Sequence, residues 1–540
     1  MQLKHLVFLF AILLSQNITV YSQNAPFEVM LEPVNIPGLA GLQAFAWGQH
    51  DGKWLLIGGR KDGLHQRQPF AAFDVPGHNT DLIVVDPVMQ QKWTAPLSSL
   101  PIGMQEQLSA TNIQFYQEAD YLYLVGGYGY SATAANHITY PNMTAIKVPE
   151  VIDAVINATS FSAYCRQITD TMFALTGGYF NKVYNTYYLT GGQKFIGRYN
   201  PMGPNNGPGF VQVYSNAIRK FLINDNGVNL NITHLTPIID TNNLHRRDYN
   251  VAPQIMPNGQ EGLTAFSGVF QKNINYPFLN CVNIDSNGHV VNNAFSQYYN
   301  HYHCAHIPLF SATANEMHTV FFGGIAQYYD SLGILVQDNN VPFVKTIARV
   351  TRTGNGVMTE YKLPVEMPTL LGAGSEFIPI EGIAHYNNEV LKLDDFVADT
   401  TLVGHMYGGI SSTAPNIFFT NNGSQSAASS QIFRIFIIKK SIVGIDEINT
   451  QSTGTLKLVV YPNPSEGSIT ATYYLKENSD VQISLTDQSG RIIENKFLTN
   501  VKAGAQIYQK RLDRISAGAN YFLKIVAGNE KVFQKIIFAR

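Results

Sequence analysis

Trp54-Leu-Leu-Ile-Gly-Gly59 and Leu122-Tyr-Leu-Val-Gly-Gly127 decide the reading of this chain, each a short apolar run closed by two glycines. The pattern returns as Phe173-Ala-Leu-Thr-Gly-Gly178, Thr264-Ala-Phe-Ser-Gly268, Val320-Phe-Phe-Gly-Gly324 and His405-Met-Tyr-Gly-Gly409. The final glycines lie 68, 51, 90, 56 and 85 residues apart, which predicts six repeats, some carrying insertions. Ahead of each run stands another strand-like segment: Gln43 to Trp47, Ala110 to Phe115, Phe161 to Cys165, Tyr249 to Ala252, His303 to Ile307 and Phe377 to Ile380. Turns such as Gln49-His50-Asp51-Gly52 and Pro257-Asn258-Gly259-Gln260 separate the two, as in hairpins. A second hairpin follows the glycines, for example Asp81-Leu-Ile-Val-Val-Asp86 or Cys281-Val-Asn-Ile284. Four strands per repeat imply small antiparallel sheets whose two faces are buried on their neighbours around an axis, the architecture of a β-propeller.

Ring closure is also legible. The last repeat stops after Ile432-Phe-Arg-Ile-Phe-Ile-Ile438, one strand short, while Phe27-Glu-Val-Met-Leu-Glu-Pro-Val34 stands at the start with no repeat to join. The first strand is therefore expected to complete the last sheet. Six blades over residues 24–440 are expected, with seven left open.

Composition agrees with an all-β chain: charged residues are 14%, aromatics 12%, with 29 Tyr, 31 Phe and 44 Gly. A formal net charge of −2 gives no electrostatic case for nucleic acid. Met1-Gln-Leu-Lys-His5 and the apolar run Leu6 to Leu14 read as a signal peptide ending at Ser22, and no later segment is long and apolar enough to span a bilayer. Cys165, Cys281 and Cys304 are too few for a disulfide scaffold; a Cys281–Cys304 bridge and three buried thiols both remain open.

Residues 441–455 turn polar and read as a linker. Beyond it, residues 456–540 alternate in strands between Gly and Asn turns, predicting a small Ig-like antiparallel sandwich.

The glycine-terminated strands resemble the kelch repeat over residues 24–440, with Ser267-Gly268 and a clear family Trp only at Trp93 as departures. The C-terminal segment resembles the sorting domain of type IX secretion cargo in Bacteroidetes-type bacteria. Tyr461, Pro462, Asn463, Pro464 and Gly467, the turn ending at Gly490, and Gly518 before a basic last strand carry that resemblance. It implies the type IX machinery as a partner and a secreted or surface-attached location reached through the periplasm.

Ligands of propellers sit at one end of the channel, beside the innermost strands. Polar residues there are Asn112, Gln114, Arg166, Arg246, Arg247, Asp248, His301, His303, His306 and Glu376. In His245-Arg246-Arg247-Asp248, adjacent guanidiniums face opposite sides of a strand, so at most one is expected to reach the channel. In His301-Tyr-His303-Cys-Ala-His306, strand alternation splits the histidines between two faces, so no metal or cofactor is assigned. The stretch Asn181 to Gly209 is expected to be a long loop over one face. Elbow, P-loop and His-Glu-x-x-His signatures are missing from the sequence. Three functions stay open: a module binding glycan or protein, a carbohydrate-active enzyme working at the channel, and a structural or adhesive surface component.

Overall fold

The computed structural model describes residues 25–202, 209–299, 301–331, 334–439, 456–465, 467–487, 492–511, 520–528 and 530–537. The expected signal peptide and linker, Gly490 and Gly518 lie outside the described residues. The chain forms two compact units, residues 1–440 and 441–540.

Six antiparallel sheets follow one another in the larger unit. The first contains Ala46–His50, Lys53–Ile57, Asp81–Asp86 and Gln91–Pro96; the second Gln114–Glu118, Tyr121–Val125, Asn142–Lys147 and Cys165–Thr169. The third contains Tyr179–Val183, Thr186–Thr190, Ala217–Asp225 and Leu230–Ile239; the fourth Asn250–Ile255, Glu261–Phe266, Cys281–Ile284 and His289–Asn292. The fifth runs through His306–Ser311, Glu316–Ile325, Phe343–Arg352 and Met358–Glu366, with Leu391–Lys392 added in parallel. The sixth takes Ser375–Pro379, Thr400–Gly408 and Ile432–Lys439, and its fourth strand is Phe27–Val34 from the start of the chain. Phe27 pairs with Lys439 and Val34 with Ile432, so the expected closure is present.

Each of these sheets is too thin to have a core of its own. Apolar clusters lie between successive sheets instead: Leu55 and Val84 with Leu122 and Leu124, Tyr123 and Val125 with Leu189 and Phe221, Tyr188 and Ile218 with Val251 and Leu263. The series continues with Phe266 against Phe321, Ile307 and Val320 against Phe433 and Ile435, and returns through Ile378 and Tyr407 to Trp54 and Leu56. Sheet six thus packs on sheet one, and the arrangement is a closed, propeller-like ring held by burial of both faces.

The third repeat corrects the sequence reading. Phe173 to Gly178 is not its second strand; a short 3-10 turn at Thr171–Phe173 leads into the first strand, Tyr179–Val183, and the second strand ends at Gly191-Gly192. The upstream segment assigned to it, Phe161 to Cys165, instead leads into Cys165–Thr169, the outer strand of sheet two. Of the stretch expected as a covering loop, Asn181 to Val183 and Thr186 to Thr190 are consequently blade strand, Tyr199, Asn200 and Pro201 do line the cavity at the inner edge of the ring, and residues 203–208 lie outside the described residues. Gln193–Ile196 and Val211–Tyr214 then join Tyr128–Ser131 and Asn136–Thr139 in an extra four-stranded sheet formed by insertions of repeats two and three. All three cysteines are free and buried.

In the smaller unit, Leu458–Tyr461, Ser468–Leu475 and Gly504–Arg511 form one sheet, and Ser479–Asp487, Ile492–Val501, Asn520–Ala527 and Glu530–Ile537 the other. Alternate residues such as Ile469, Ala471, Ile483, Leu485, Leu523 and Ile525 fill the shared core. Asn463 pins the last strand: its side-chain amide donates to the Lys535 carbonyl (2.7 Å) and its Oδ1 accepts from the Ile537 N–H (2.8 Å).

Candidate functional site

One local geometry repeats six times at the inner edge of the ring. The two residues closing each second strand, Gly58-Gly59, Gly126-Gly127, Gly191-Gly192, Ser267-Gly268, Gly323-Gly324 and Gly408-Gly409, all have positive φ. This is why glycine recurs there. The next residue, Arg60, Tyr128, Gln193, Val269, Ile325 or Ile410, then hydrogen-bonds to the backbone of Gln43, Thr111, Thr176, Arg247, Tyr302 or Ala373. One position further on stand Ala44, Asn112, Gly177, Asp248, His303 and Gly374, again all at positive φ. Their backbones link neighbouring repeats: the Ala44 N–H donates to Gly374 O (2.7 Å), Asn112 to Ala44 (3.0 Å), Asp248 to Gly177 (3.2 Å) and Gly374 to His303 (2.6 Å).

The residues that follow the paired positions, their backbone partners and the residues one position beyond those partners line one cavity of about 920 Å³. Its walls add aromatic groups, among them His65, Phe73, Tyr199, Phe210, Phe270 and Phe418, and amides such as Asn200, Gln212 and Asn339. A concave, mixed aromatic and polar pocket at a convergence of repeats is the usual form of a small-molecule site.

Of the predicted site residues, Asn112, Arg247, Asp248 and His303 reach this cavity. Arg247 donates from Nη1 to Asp248 Oδ2 (2.5 Å) and from Nε to the Tyr214 hydroxyl (3.1 Å), and lies over the Phe270 ring. Burial opposes its charge, but Asp248 and the tyrosines Tyr214 and Tyr199 more than offset this and raise its pKa. His303 Nε2 is 3.0 Å from Glu376 Oε1. Burial would lower the imidazole pKa; the hydrogen bond and charge of Glu376 outweigh it, and the net shift is upward.

The other predicted residues are structural. Arg246 is fully buried, with its guanidinium on the carbonyls of Asn243 (2.6 Å), Ser267 (2.5 Å) and Asn280 (3.0 Å) and 4.0 Å from the centre of Phe278. Burial lowers its pKa to about 10. His301 is fully buried, bonded through Nδ1 to Gly323 O (2.7 Å) and stacked on Phe321, and burial lowers it to about 4. His306 bonds to Cys304 O (3.1 Å) and is likewise lowered to about 4 by burial. Arg166 makes a two-point pair with Asp225 (2.5 and 2.8 Å), and Gln114 donates to Asn112 O (2.5 Å). Among the described residues no group of three or more His, Cys, Asp or Glu is placed to hold a metal ion.

His65, Tyr128, Gln193 and Tyr302 were not among the predicted site residues. A signal existed for two of them: Tyr128 and Gln193 directly follow a glycine pair. Spacing also marks the inner ring, since Ala44, Asn112 and Gly177 each lie 15 residues before Gly59, Gly127 and Gly192. His65 comes from a loop with no such mark.

Residues 459–539 match the family of the secretion system C-terminal sorting domain. No curated protein matches the chain. Among solved structures it is similar to one described as the structure of YjhT, at 8% identity and TM-score 0.37, covering 74% of this chain and 98% of that one. It is also similar to the WD40 domain of SCAP from fission yeast (8% identity, 95% and 90% coverage, TM-score 0.26). A third is a glycoside hydrolase family 43 arabinoxylan arabinofuranohydrolase from Bacillus subtilis (11% identity, 93% and 80% coverage, TM-score 0.23). The sorting domain marks the chain for type IX export to the cell surface or the medium. Among the described residues, no helix is long and apolar enough to cross a membrane.

Proposed function

We propose that this is an exported kelch-type propeller of six blades, beginning its mature sequence after residue 22, that binds a saccharide in its axial cavity. The observation that carries the reading is the 920 Å³ cavity to which every repeat contributes, with aromatic faces set beside amides and one guanidinium–carboxylate pair. Sugars present apolar C–H faces and hydroxyls that both donate and accept, and aromatic rings beside fixed polar groups complement both features. The cavity encloses its ligand in a recess, which suits the end of a glycan chain better than a flat protein surface. Six successive sheets, five with a glycine pair and the fourth with Ser267-Gly268, support the kelch assignment, and Trp93 packs partly buried beside the cluster between sheets one and two.

The test is retention of the full chain on an array of bacterial, plant and host glycans, repeated with Arg247→Ala. Binding to at least one glycan, lost in the variant at unchanged melting temperature, is expected. A chain that captures no glycan, or captures it equally well with Arg247→Ala, would overturn the saccharide reading.

A further inference from the structure

Two buried polar atoms of the cavity have no partner. The Tyr302 hydroxyl, on a residue 9% exposed, makes no hydrogen bond. His65 Nδ1 is likewise buried and makes no hydrogen bond. Both sit in the electrostatic field of Arg247 and Asp248. Buried groups of this kind are normally satisfied by protein, water or ligand, because leaving one unmade costs free energy.

Arg247 and Asp248 themselves form a donor–acceptor edge with no net charge, with side chains 14% and 31% exposed. Space beside the edge is kept open by Gly177, where a Cβ would stand 3.1 Å from Asp248 Oδ1. Two further ionic groups of the wall are matched as well: Arg60 is paired with Asp62 (2.5 Å) and His303 with Glu376 (3.0 Å). Burial and the Arg247 charge lower the His65 pKa to about 4, so its imidazole is neutral at pH 7. Its ring packs against Phe73, Tyr199 and Phe418, which surround the same corner with apolar faces.

From this geometry we infer that Arg247, Asp248, Tyr302 and His65 form a subsite for adjacent hydroxyls of an uncharged sugar ring, one hydroxyl donating to Asp248 and its neighbour accepting from Arg247. A carboxylated sugar would set its anion against Asp248 without an unpaired cation to receive it at this corner. The remaining cation of the cavity, Arg67, lies over the Phe419 ring and reaches the Pro201 carbonyl. The inference rests on the saccharide reading and deepens it to a substrate class.

Saturation-transfer NMR and calorimetry on the full chain test it, with methyl glycosides of glucose, galactose, mannose and xylose set against glucuronate and galacturonate. At least one neutral glycoside is expected to bind roughly 10-fold tighter than any uronate, the discrimination a hydroxyl-reading polar site can reach. Asp248→Asn and Tyr302→Phe should each weaken it by roughly 5- to 10-fold, the value of a hydrogen bond or two. Tyr302→Phe removes only an unpartnered hydroxyl, so it stays informative if Asp248→Asn fails to fold. Neutral binding unaffected by both variants overturns the subsite and leaves the saccharide reading standing. Preference for a uronate, lost in Arg67→Gln, does the same. Binding of neither class overturns both.

Discussion

Paired glycines are the residues on which the inner edge of each repeat depends, for two separable reasons. Both members of a pair occupy left-handed backbone, and some also sit against the next repeat with no room for a side chain. Gly126 combines the two: φ is +67°, and a Cβ would lie 2.0 Å from the Leu175 carbonyl oxygen. Gly52, in an exposed hairpin turn, has φ +70° with nothing within 4 Å. Gly52→Ala should therefore cost only the left-handed penalty, about 1 kcal/mol. Gly126→Ala must also displace the neighbouring backbone, for a total of about 3 kcal/mol or more and a clearly lower melting temperature. Equal losses in thermal melts of the two variants would show that the inter-repeat approach is not the constraint. The fourth repeat agrees: Ser267 takes φ +51° in place of a first glycine, so the conformation is required and the residue type only favoured.

Among the elements, the strand Phe27–Val34 has the largest leverage for its length. It hydrogen-bonds along Ile432–Lys439, buries Phe27 and Val29 in the cluster between sheets five and six, and places Glu32 2.6 Å from Arg434. Without it, Ile432–Lys439 becomes an open edge carrying Phe433, Ile435 and Ile437, an arrangement that invites pairing between chains. A chain lacking residues 25–34 is expected to elute as oligomer or aggregate in size-exclusion chromatography and to melt earlier. A monomer with unchanged melting temperature would argue that the ring closes without this strand. The signal for the pairing lay in a surplus strand at one end and a missing one at the other. What could not be seen was the sheet built from the insertions of repeats two and three, because its strands are far apart in the chain and none is long.

At the scale of the whole molecule, the ring buries histidines whose neutrality couples stability to pH. Burial, with the charge of Arg60 beside His78, of Arg349 beside His318 and of Arg434 beside His405, lowers His78 and His318 to about 3 and His405 to about 4; burial alone lowers His301 to about 4. Their contribution is whole above the unfolded value near 6.5 and declines as pH falls from there towards 4, by about 1.4 kcal/mol per unit for each. Glu360, pushed up to about 8 by burial, acts in the opposite sense over the same range. The raised pKa of His303 contributes a constant amount below 6.5 and is lost only at higher pH. His65 and His306, also lowered to about 4, add to the histidines, and Glu389, raised to about 7 by burial, adds to Glu360. Six groups against two predict a urea midpoint that drops steadily from pH 6.5 to 5. A midpoint that held or rose would mean these imidazoles are charged in the native state.

By itself the sequence established the repeated hairpins, the ring they imply, the strand that closes it and the sorting module, because each depends on local period, turn chemistry or an end-to-end surplus of strands. It did not establish which residues meet at the axis. Leu175-Thr-Gly-Gly178 and Leu189-Thr-Gly-Gly192 are the same four residues, yet the first leads into the innermost strand and the second closes the next one. Likewise Arg246 and Arg247 are neighbours of one type, and only Arg247 enters the cavity. Identical local preferences leave such choices degenerate. Packing against the adjoining repeat, where a slip of one residue turns every side chain to the opposite face, resolves them.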